Sequence, residues 1–163
     1  MRTLPATRIA LLLLALGLLA ARPAAAQTAE EAVLRTVQQL FEAMARRDTA
    51  GLNAVLTPEG QLVAVVVNGD STRLRSTSHA EFIATIGTPG QALLERIWEP
   101  AVHISGPFAV VWAPYDFYLG RQFSHCGIDA FTLVRTPAGW RISGGSYSTV
   151  RTGCPASPLG PPK

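Results

Sequence analysis

Cysteine and surplus charge are both scarce in this sequence of 163 residues. It contains two cysteines, and its 14 Lys and Arg residues stand against 11 Asp and Glu residues. Three of the arginines, Arg2, Arg8 and Arg22, lie in an N-terminal segment that we predict to be removed, which leaves 11 basic and 11 acidic residues. Because no basic cluster remains to neutralise a row of phosphates, the sequence does not predict a nucleic-acid partner.

Hydrophobic runs long enough to span a membrane are also lacking. The apolar run at residues 9–21 is shorter than the roughly 20 residues that a spanning helix needs. It follows Arg2 and Arg8 and precedes Ala24-Ala25-Ala26, which is the pattern of a secretory signal peptide with a small-residue cleavage site. We therefore predict cleavage after Ala26 and a periplasmic or secreted protein with no membrane partner afterwards, with an uncleaved anchor as the alternative.

The two cysteines, Cys126 and Cys154, limit the thiol chemistry that this chain can perform. In the oxidising compartment expected for an exported protein they permit one disulfide. They cannot form a four-ligand zinc site, and the sequence contains no Cys-x-x-Cys redox motif. We predict one domain at residues 27–152, followed by a Pro-rich, disordered tail at residues 153–163.

Motifs for cofactors and nucleophilic catalysis are absent from the sequence. There is no nucleophile elbow, no phosphate-binding loop and no dinucleotide fingerprint. His125 and Asp116 would give two metal ligands, whereas a catalytic zinc needs three from the protein. The sequence therefore predicts neither a cofactor nor a metal site.

Helix-start signals are the clearest features that the sequence does contain. Thr28 and Glu31 form a capping box ahead of an apolar stripe at helical spacing, which predicts a helix up to Arg46-Arg47. Asp48 is placed to cap a second, short helix. A second capping box at residues 78–81 predicts a third helix, in which His79 would be exposed.

Strand signals fill most of the remaining sequence. Asn68-Gly69, between two β-branched or polar runs, predicts a hairpin of residues 61–67 and 72–75. After a glycine-containing break, long strands are predicted at residues 93–104, 108–119, 122–136 and 140–150. His103 is predicted to lie at the surface near a strand end.

The order of these elements predicts an α+β fold. Helices gathered on one face of a long antiparallel sheet are expected to bury that face. Because long strands twist and curl, the expected shape is a cone-shaped α+β barrel. In it, a strongly curved antiparallel sheet has one face closed by the three helices.

Two stretches of the sequence resemble the nuclear transport factor 2-like (NTF2-like) superfamily. One is FEAMARRD at residues 41–48 with Leu52 and Leu56, and the other comprises VWAPY, FSHCGID and GWRI at residues 111–115, 123–129 and 139–142. The similarity is to the SnoaL-like polyketide cyclase, ketosteroid isomerase-like and lumazine-binding branches. It implies the cone fold with a small-molecule ligand, but it leaves open isomerases, dehydratases, cyclases, hydrolases and non-catalytic binders.

The hairpin of residues 108–136 brings candidate site residues together. If Gly120-Arg121 is a two-residue turn, Asp116 lies opposite His125 and Trp112 lies opposite Asp129. The face that carries them, with Tyr118, Phe123 and Phe131, is interpreted as the interior. The opposite face is apolar and is expected to be covered in a homodimer. It carries Val111, Ala113, Tyr115, Phe117, Leu119, Cys126, Ile128 and Ala130.

The predicted interior suggests two uses for its polar and aromatic side chains. Asp116 would orient His125 as a general base, with Asp129 as a second acid, or the Asp116–His125 pair would be purely structural. The aromatic residues would stack on a flat ligand or fill the core. Three residues of the preceding strand are expected at a solvated rim: Glu95, Arg96 and Glu99.

The resulting hypothesis is an exported domain that binds a small flat or apolar compound. The first alternative is a cofactor-free isomerase, cyclase or dehydratase that uses His125, Asp116 and Asp129. The second is a non-catalytic interaction module whose cone is filled with side chains.

Overall fold

The computed structural model describes residues 27–162, so the predicted signal peptide lies outside the described residues. None of the helices in this part of the chain is long and apolar enough to cross a membrane. The elements are α1 (Ala29–Arg46), α2 (Thr49–Val55), β1 (Leu56–Asn68), β2 (Ser71–Ser78), α3 (His79–Gly87), β3 (Leu93–Ile97), β4 (Ala101–Ser105), β5 (Phe108–Leu119), β6 (Gln122–Thr136) and β7 (Gly139–Thr149).

The three predicted helix starts are confirmed by their hydrogen bonds. At α1 the Thr28 hydroxyl accepts from the Glu31 amide at 3.1 Å while the Glu31 carboxylate accepts from the Thr28 amide at 2.9 Å. The same reciprocal box forms at the start of α3, and the Asp48 carboxylate accepts from the Gly51 amide at the start of α2. These contacts satisfy amides that a helix leaves unpaired.

The strands form one curved, unclosed sheet in the order β2-β1-β7-β6-β5-β3. All neighbouring strands are antiparallel except β1 and β7, which pair in parallel. The helices pack on its concave face, where residues of α1 such as Val33 and Phe41 share a core with Val111, Leu133 and Ile142. The predicted cone-shaped α+β fold is confirmed.

The predicted single strand at residues 93–104 is wrong, because the chain breaks at residues 98–100. Glu99 has a left-handed φ of 45°, and Pro100 follows it. The two pieces, β3 and β4, pair with opposite ends of the same strand, β5. The break shifts the register by one residue, so that Glu95 pairs with Phe117 rather than with Tyr118.

The predicted register of the β5–β6 hairpin is correct only beside its turn. Tyr118 pairs with Phe123 as expected, but Ser124 is an extra residue that has no partner on β5. Beyond this β-bulge, His125 pairs with Phe117 and Asp116 pairs with Cys126. A shift of one residue exchanges the two faces of a strand, so the predicted opposition of Asp116 and His125 is wrong.

The bulge also corrects the predicted faces of β5. Its interior positions are Val111, Ala113, Tyr115 and Phe117, which had been assigned to the outside, whereas Trp112 and Asp116 alternate with them on the outer face. On β6, in contrast to β5, the residues predicted to face the interior do so: His125, Asp129 and Phe131. Trp112 therefore does not lie opposite Asp129, which pairs with Ala113.

The C-terminal segment folds back onto the outer face of the sheet. Cys126 on β6 and Cys154 form a disulfide. Arg96 on β3 donates to the Gly160 carbonyl at 2.9 Å, so a second contact holds the Pro-rich segment that we predicted to be disordered. Together these contacts cover the outer side of Asp116, whose exposed fraction is 3%.

Candidate functional site

A cavity of about 570 Å³ lies between the helices and the concave face of the sheet. Its lining is apolar where α1 and α3 meet the sheet and polar along β3, β6 and β7. The apolar members include Leu40, Met44, Phe82, Ile86, Phe117 and Phe131, and the polar members include Glu95, Tyr115, Ser124, His125, Asp129, Tyr147 and Thr149. A space of this size accepts a small organic molecule, and it disagrees with the alternative of a filled cone.

Two carboxyl groups meet inside this cavity. Glu95 reaches in from β3 and Asp129 from β6, and both line the cavity. The two carboxyl groups are in hydrogen-bonding contact. A hydrogen bond between two carboxyl groups requires that one of them keep a proton.

Burial decides which of the two carries that proton. It raises the pKa of Asp129 well above its usual range, and the neighbouring Glu95 carboxyl raises it further. Burial also raises the pKa of Glu95, to about 7, although the hydrogen bond from Asp129 opposes this effect. At neutral pH the protonated Asp129 therefore donates to Glu95, which itself titrates in the neutral range.

The environment of Asp129 is otherwise poor in donors. Its exposed fraction is 1%, and no N–H or O–H group within residues 27–162 donates to its Oδ2. A buried carboxyl oxygen without a donor costs stability unless it is protonated or meets a ligand. The proton that Asp129 shares with Glu95 meets this requirement inside the pair.

His125 is held as a neutral side chain against the aromatic wall. Its ring stacks on Phe117 at 4.8 Å between centroids and meets Tyr115 edge-on at 5.7 Å. Its Nδ1 lies 3.0 Å from the Ser124 hydroxyl. Burial, assisted by the charge of Arg151, lowers the pKa of His125 to about 4, so it is uncharged at neutral pH. At this position His125 can act as a neutral hydrogen-bonding group. The predicted pair of His125 with Asp116 is not formed.

Tyr115 supports the site from within the sheet. Its hydroxyl donates to the Ser148 carbonyl at 2.8 Å and its exposed fraction is 1%. Burial and the nearby Glu95 and Asp129 carboxyls raise the pKa of this phenol. Tyr115 thus remains protonated and fixes the position of β5 against the end of β7.

The remaining predicted site residues lie away from the cavity. Asp116 forms an ion pair with Arg96, whose Nε donates to it at 2.9 Å. Trp112 and Phe123 are exposed at the outer side, with exposed fractions of 54% and 41%. Tyr118 contacts Phe123 edge-on and lies under the guanidinium of Arg96. Phe131 is the one member of the predicted aromatic set that lines the cavity.

Sequence reasoning missed several lining residues, one of which strand alternation indicates. Glu95 alternates with Leu93 and Ile97, two side chains that join the core, so it shares their inward face. A charged residue at an apolar period-two position was the available signal for Glu95. Arg73 and Arg75 also line the cavity, but their neighbours on that face of β2, Ser71 and Thr77, are polar and gave no such signal.

The predictions for the other two histidines have different outcomes. His79 was predicted to be exposed, which is wrong, because its exposed fraction is 1%. Its Nδ1 lies 2.7 Å from the Thr57 carbonyl, and its ring occupies the space beside Gly60. Burial lowers its pKa. His103 is exposed, as predicted.

The family model described as "Putative lumazine-binding" matches residues 28–148. The chain belongs to this family. Solved NTF2-like structures share its fold. A protein from Cytophaga hutchinsonii has a TM-score of 0.62 and 15% identity, covering 76% of this chain and 100% of that one. A protein from Salmonella enterica has a TM-score of 0.58 and 17% identity, with coverage of 79% and 96%.

Another NTF2-like protein, from Novosphingobium aromaticivorans and described as having a cystatin-like fold, has a TM-score of 0.57 and 16% identity. It covers 80% of this chain, which covers 86% of it. No protein with a curated description matches the sequence. Sequence identities this low show a shared fold and not a shared activity. The activity of this NTF2-like chain therefore has to be inferred from its own cavity.

Proposed function

We propose that this NTF2-like protein is an exported small-molecule-binding protein whose ligand occupies the interior cavity. The observation that supports this most directly is the cavity itself, about 570 Å³ with an apolar wall and a few convergent polar groups. The family description names lumazine, a flat heterocycle with several carbonyl and ring nitrogen atoms. A flat ligand of that kind fits beside Phe117, Phe131 and His125, with Asp129 and Glu95 as hydrogen-bonding partners.

Export is the part of this proposal that rests on the N-terminal sequence. Residues 1–26 have the charged start, apolar run and small-residue end of a cleaved signal. The Cys126–Cys154 disulfide supports an oxidising compartment, because such bonds seldom persist in a reducing cytosol. We place the mature protein in the periplasm or the medium.

Filling the cavity tests the binding proposal. Val66 lines the cavity from β1, whereas Val65 points to the opposite face of the same strand. With lumazine as the probe, Val66→Phe is expected to weaken binding at least about tenfold, the equivalent of about 1.4 kcal/mol, because the larger ring occupies ligand space. The measurement is a fluorescence titration. Equal affinity of the Val66→Phe and Val65→Phe proteins would contradict a ligand in the cavity.

A second candidate function is acid–base catalysis on the bound molecule. The observation that favours it is the Glu95–Asp129 pair, in which a carboxylate that titrates near pH 7 adjoins a protonated acid. These residues replace the His125–Asp116 base that the sequence suggested. Turnover that disappears in Glu95→Gln while lumazine affinity is retained would favour an isomerase or dehydratase over a binding protein.

We propose in addition that the outer face of the sheet is covered in a homodimer. Trp112 and Phe108, four residues apart on the same face of β5, have exposed fractions of 54% and 45% and pair with Ala130 and Val134 of β6. Large exposed aromatic side chains on one sheet face are costly in a monomer, and a two-fold axis covers both copies at once. This differs from the sequence-based dimer face on β5, which had consisted of interior residues.

The dimer proposal predicts that Trp112→Glu shifts the protein to a monomer. The added charge would be buried without a partner at the centre of the interface. Sedimentation velocity measures the change, and Leu74→Glu, at an exposed position on the distant edge strand β2, is the matched control. A wild-type monomer, or a Trp112→Glu protein that sediments like wild type, would contradict the proposal.

A further inference from the structure

We infer that the ligand carries an oxyanion, a carboxylate or phosphate group, bound at the cavity mouth by Arg73, Arg75 and Arg151. This inference rests on the proposed binding function and specifies the chemical class of the ligand. The three arginines line the same cavity as Glu95 and Asp129, but they lie at its exposed side.

The sheet brings these three side chains to one mouth. Arg73 and Arg75 are alternate residues of β2, so they share its cavity-facing side, and they pair with residues of β1 that also line the cavity. Arg151 enters from the next part of the sheet, directly after the bridge between Cys126 and Val150. The charge of Arg151 contributes to the lowered pKa of His125, and both side chains line the cavity.

These arginines differ from the ones that the fold uses. Arg47 donates to the carbonyls of Ile86, Thr88 and Gln91, and Arg141 donates to two carbonyls at the end of α2. Arg96 is paired with Asp116. The three mouth arginines, by contrast, have neither an ion pair nor a hydrogen bond to any acceptor within residues 27–162. Their donors are therefore free for a ligand.

The charge of the cavity favours an anion. Of the described residues, Glu95 and Asp129 are the two acids in the lining, and their shared proton leaves at most one negative charge between them near neutral pH. His125 is neutral there. The three guanidinium groups carry three positive charges, against at most one negative charge on the acid pair. Water-exposed positive charge at a cleft attracts anions.

Guanidinium geometry narrows the anion to an oxyanion. Its planar, paired N–H donors match the oxygen spacing of carboxylate and phosphate groups. The interior beyond the mouth is aromatic and aliphatic, and its acid pair offers carboxyl oxygens as hydrogen-bond acceptors. The best match is an amphipathic acid whose flat body lies inside and whose oxyanion remains at the mouth.

Two dyes that differ by one anionic group test the inference. Anilinonaphthalene sulfonate and the neutral N-phenyl-naphthylamine share the same ring body, so their affinity ratio isolates the charge. The sulfonate is expected to bind more tightly, and each of Arg73→Gln, Arg75→Gln and Arg151→Gln is expected to weaken it about two- to fivefold, as loss of one exposed ion pair does. The neutral dye should be unaffected by these changes.

The controls separate this inference from the binding proposal. Arg121→Gln removes the same charge at the β5–β6 turn, outside the cavity lining, and should leave both affinities unchanged. Added salt should weaken the sulfonate alone. Displacement by naphthoate and by naphthyl phosphate distinguishes a carboxylate ligand from a phosphate ligand.

Each outcome has a defined meaning. Equal affinities of the two dyes, unchanged by the three mouth substitutions but both reduced by Val66→Phe, would overturn the anionic ligand and leave the binding cavity in place. Dye binding that ignores Val66→Phe would overturn the cavity proposal and this inference together. A loss confined to the sulfonate in the mouth variants, but not in Arg121→Gln, supports the inference.

Discussion

Relative to wild type, Glu95→Gln is expected to gain about 3 kcal/mol of stability when the pH is raised from 5 to 8. The pKa of Glu95 is raised from 4.5 to about 7 by burial. An acid with a raised folded-state pKa contributes its full stability below its unfolded pKa and loses it as pH rises through the folded value, at about 1.4 kcal/mol per pH unit. Glutamine remains uncharged, so the variant avoids this loss between about pH 4.5 and 7.

The difference between the two proteins is more informative than the wild-type curve alone. Burial lowers the pKa values of His79 and His125, and their contribution has the opposite sign, because stability is lost as pH falls below their unfolded values. The opposing effects of Glu95 and the two histidines on stability partly cancel in the wild-type pH profile. Both histidines are also present in the variant, so their effect drops out of the difference between the two proteins. Urea unfolding at several pH values measures the gap.

The matched control for this measurement is an acid of the same type outside the cavity. Glu99 lies exposed in the break between β3 and β4, four residues after Glu95. Glu99→Gln should give a gap to wild type that stays constant with pH. A constant gap for Glu95→Gln as well would show that Glu95 ionises as an ordinary surface acid, and it would remove the basis for the catalytic candidate.

Local signals were sufficient to predict the helices and the ends of the long hairpin. Thr28 with Glu31 and Asp48 with Gly51 act over three residues, so their geometry is contained in the sequence window that was read. The two strands around Gly120-Arg121 begin and end where predicted, at residues 108–119 and 122–136. Turn chemistry of this kind needs no knowledge of the rest of the fold.

The candidate site was predictable along a strand but not across it. His125, Asp129 and Phe131 share a face because alternation is counted within β6, and their roles stay predictions. Placing Asp116 opposite His125 required a count across the hairpin, and one extra residue, Ser124, made that count wrong.

The contact between Asp129 and Glu95 could not be predicted from the sequence, for a related reason. β3 and β4 pair with β5 in registers that differ by one residue, because the chain breaks at Glu99 and Pro100. In the register of β4, Glu95 would pair with Tyr118 and would lie on the outer face of the sheet. The proton shared by these two acids is therefore a property of the tertiary structure, since neither residue is unusual within its own segment.

Arg96→Met is expected to lower the free energy of unfolding by roughly 3 kcal/mol, because it leaves the buried Asp116 carboxylate without its cation. Side-chain exposures in this pair are 16% for Arg96 and 5% for Asp116. Arg46→Met removes an ion pair between side chains that are 61% and 49% exposed and should cost about 0.5 kcal/mol or less. Urea denaturation compares the two variants.

Asp116→Asn separates the structural role of Asp116 from the catalytic role that the sequence suggested. On the outer face Asp116 pairs with Cys126, whereas His125 faces the cavity beside Phe117. The variant should therefore be less stable than wild type while the His125 pKa, followed by NMR, stays near its wild-type value. Combining it with Arg96→Met should restore part of the lost stability, since no unpaired charge then remains buried. A His125 titration that moves with Asp116→Asn would mean that the two side chains do interact, and that the strands pair without the bulge at Ser124.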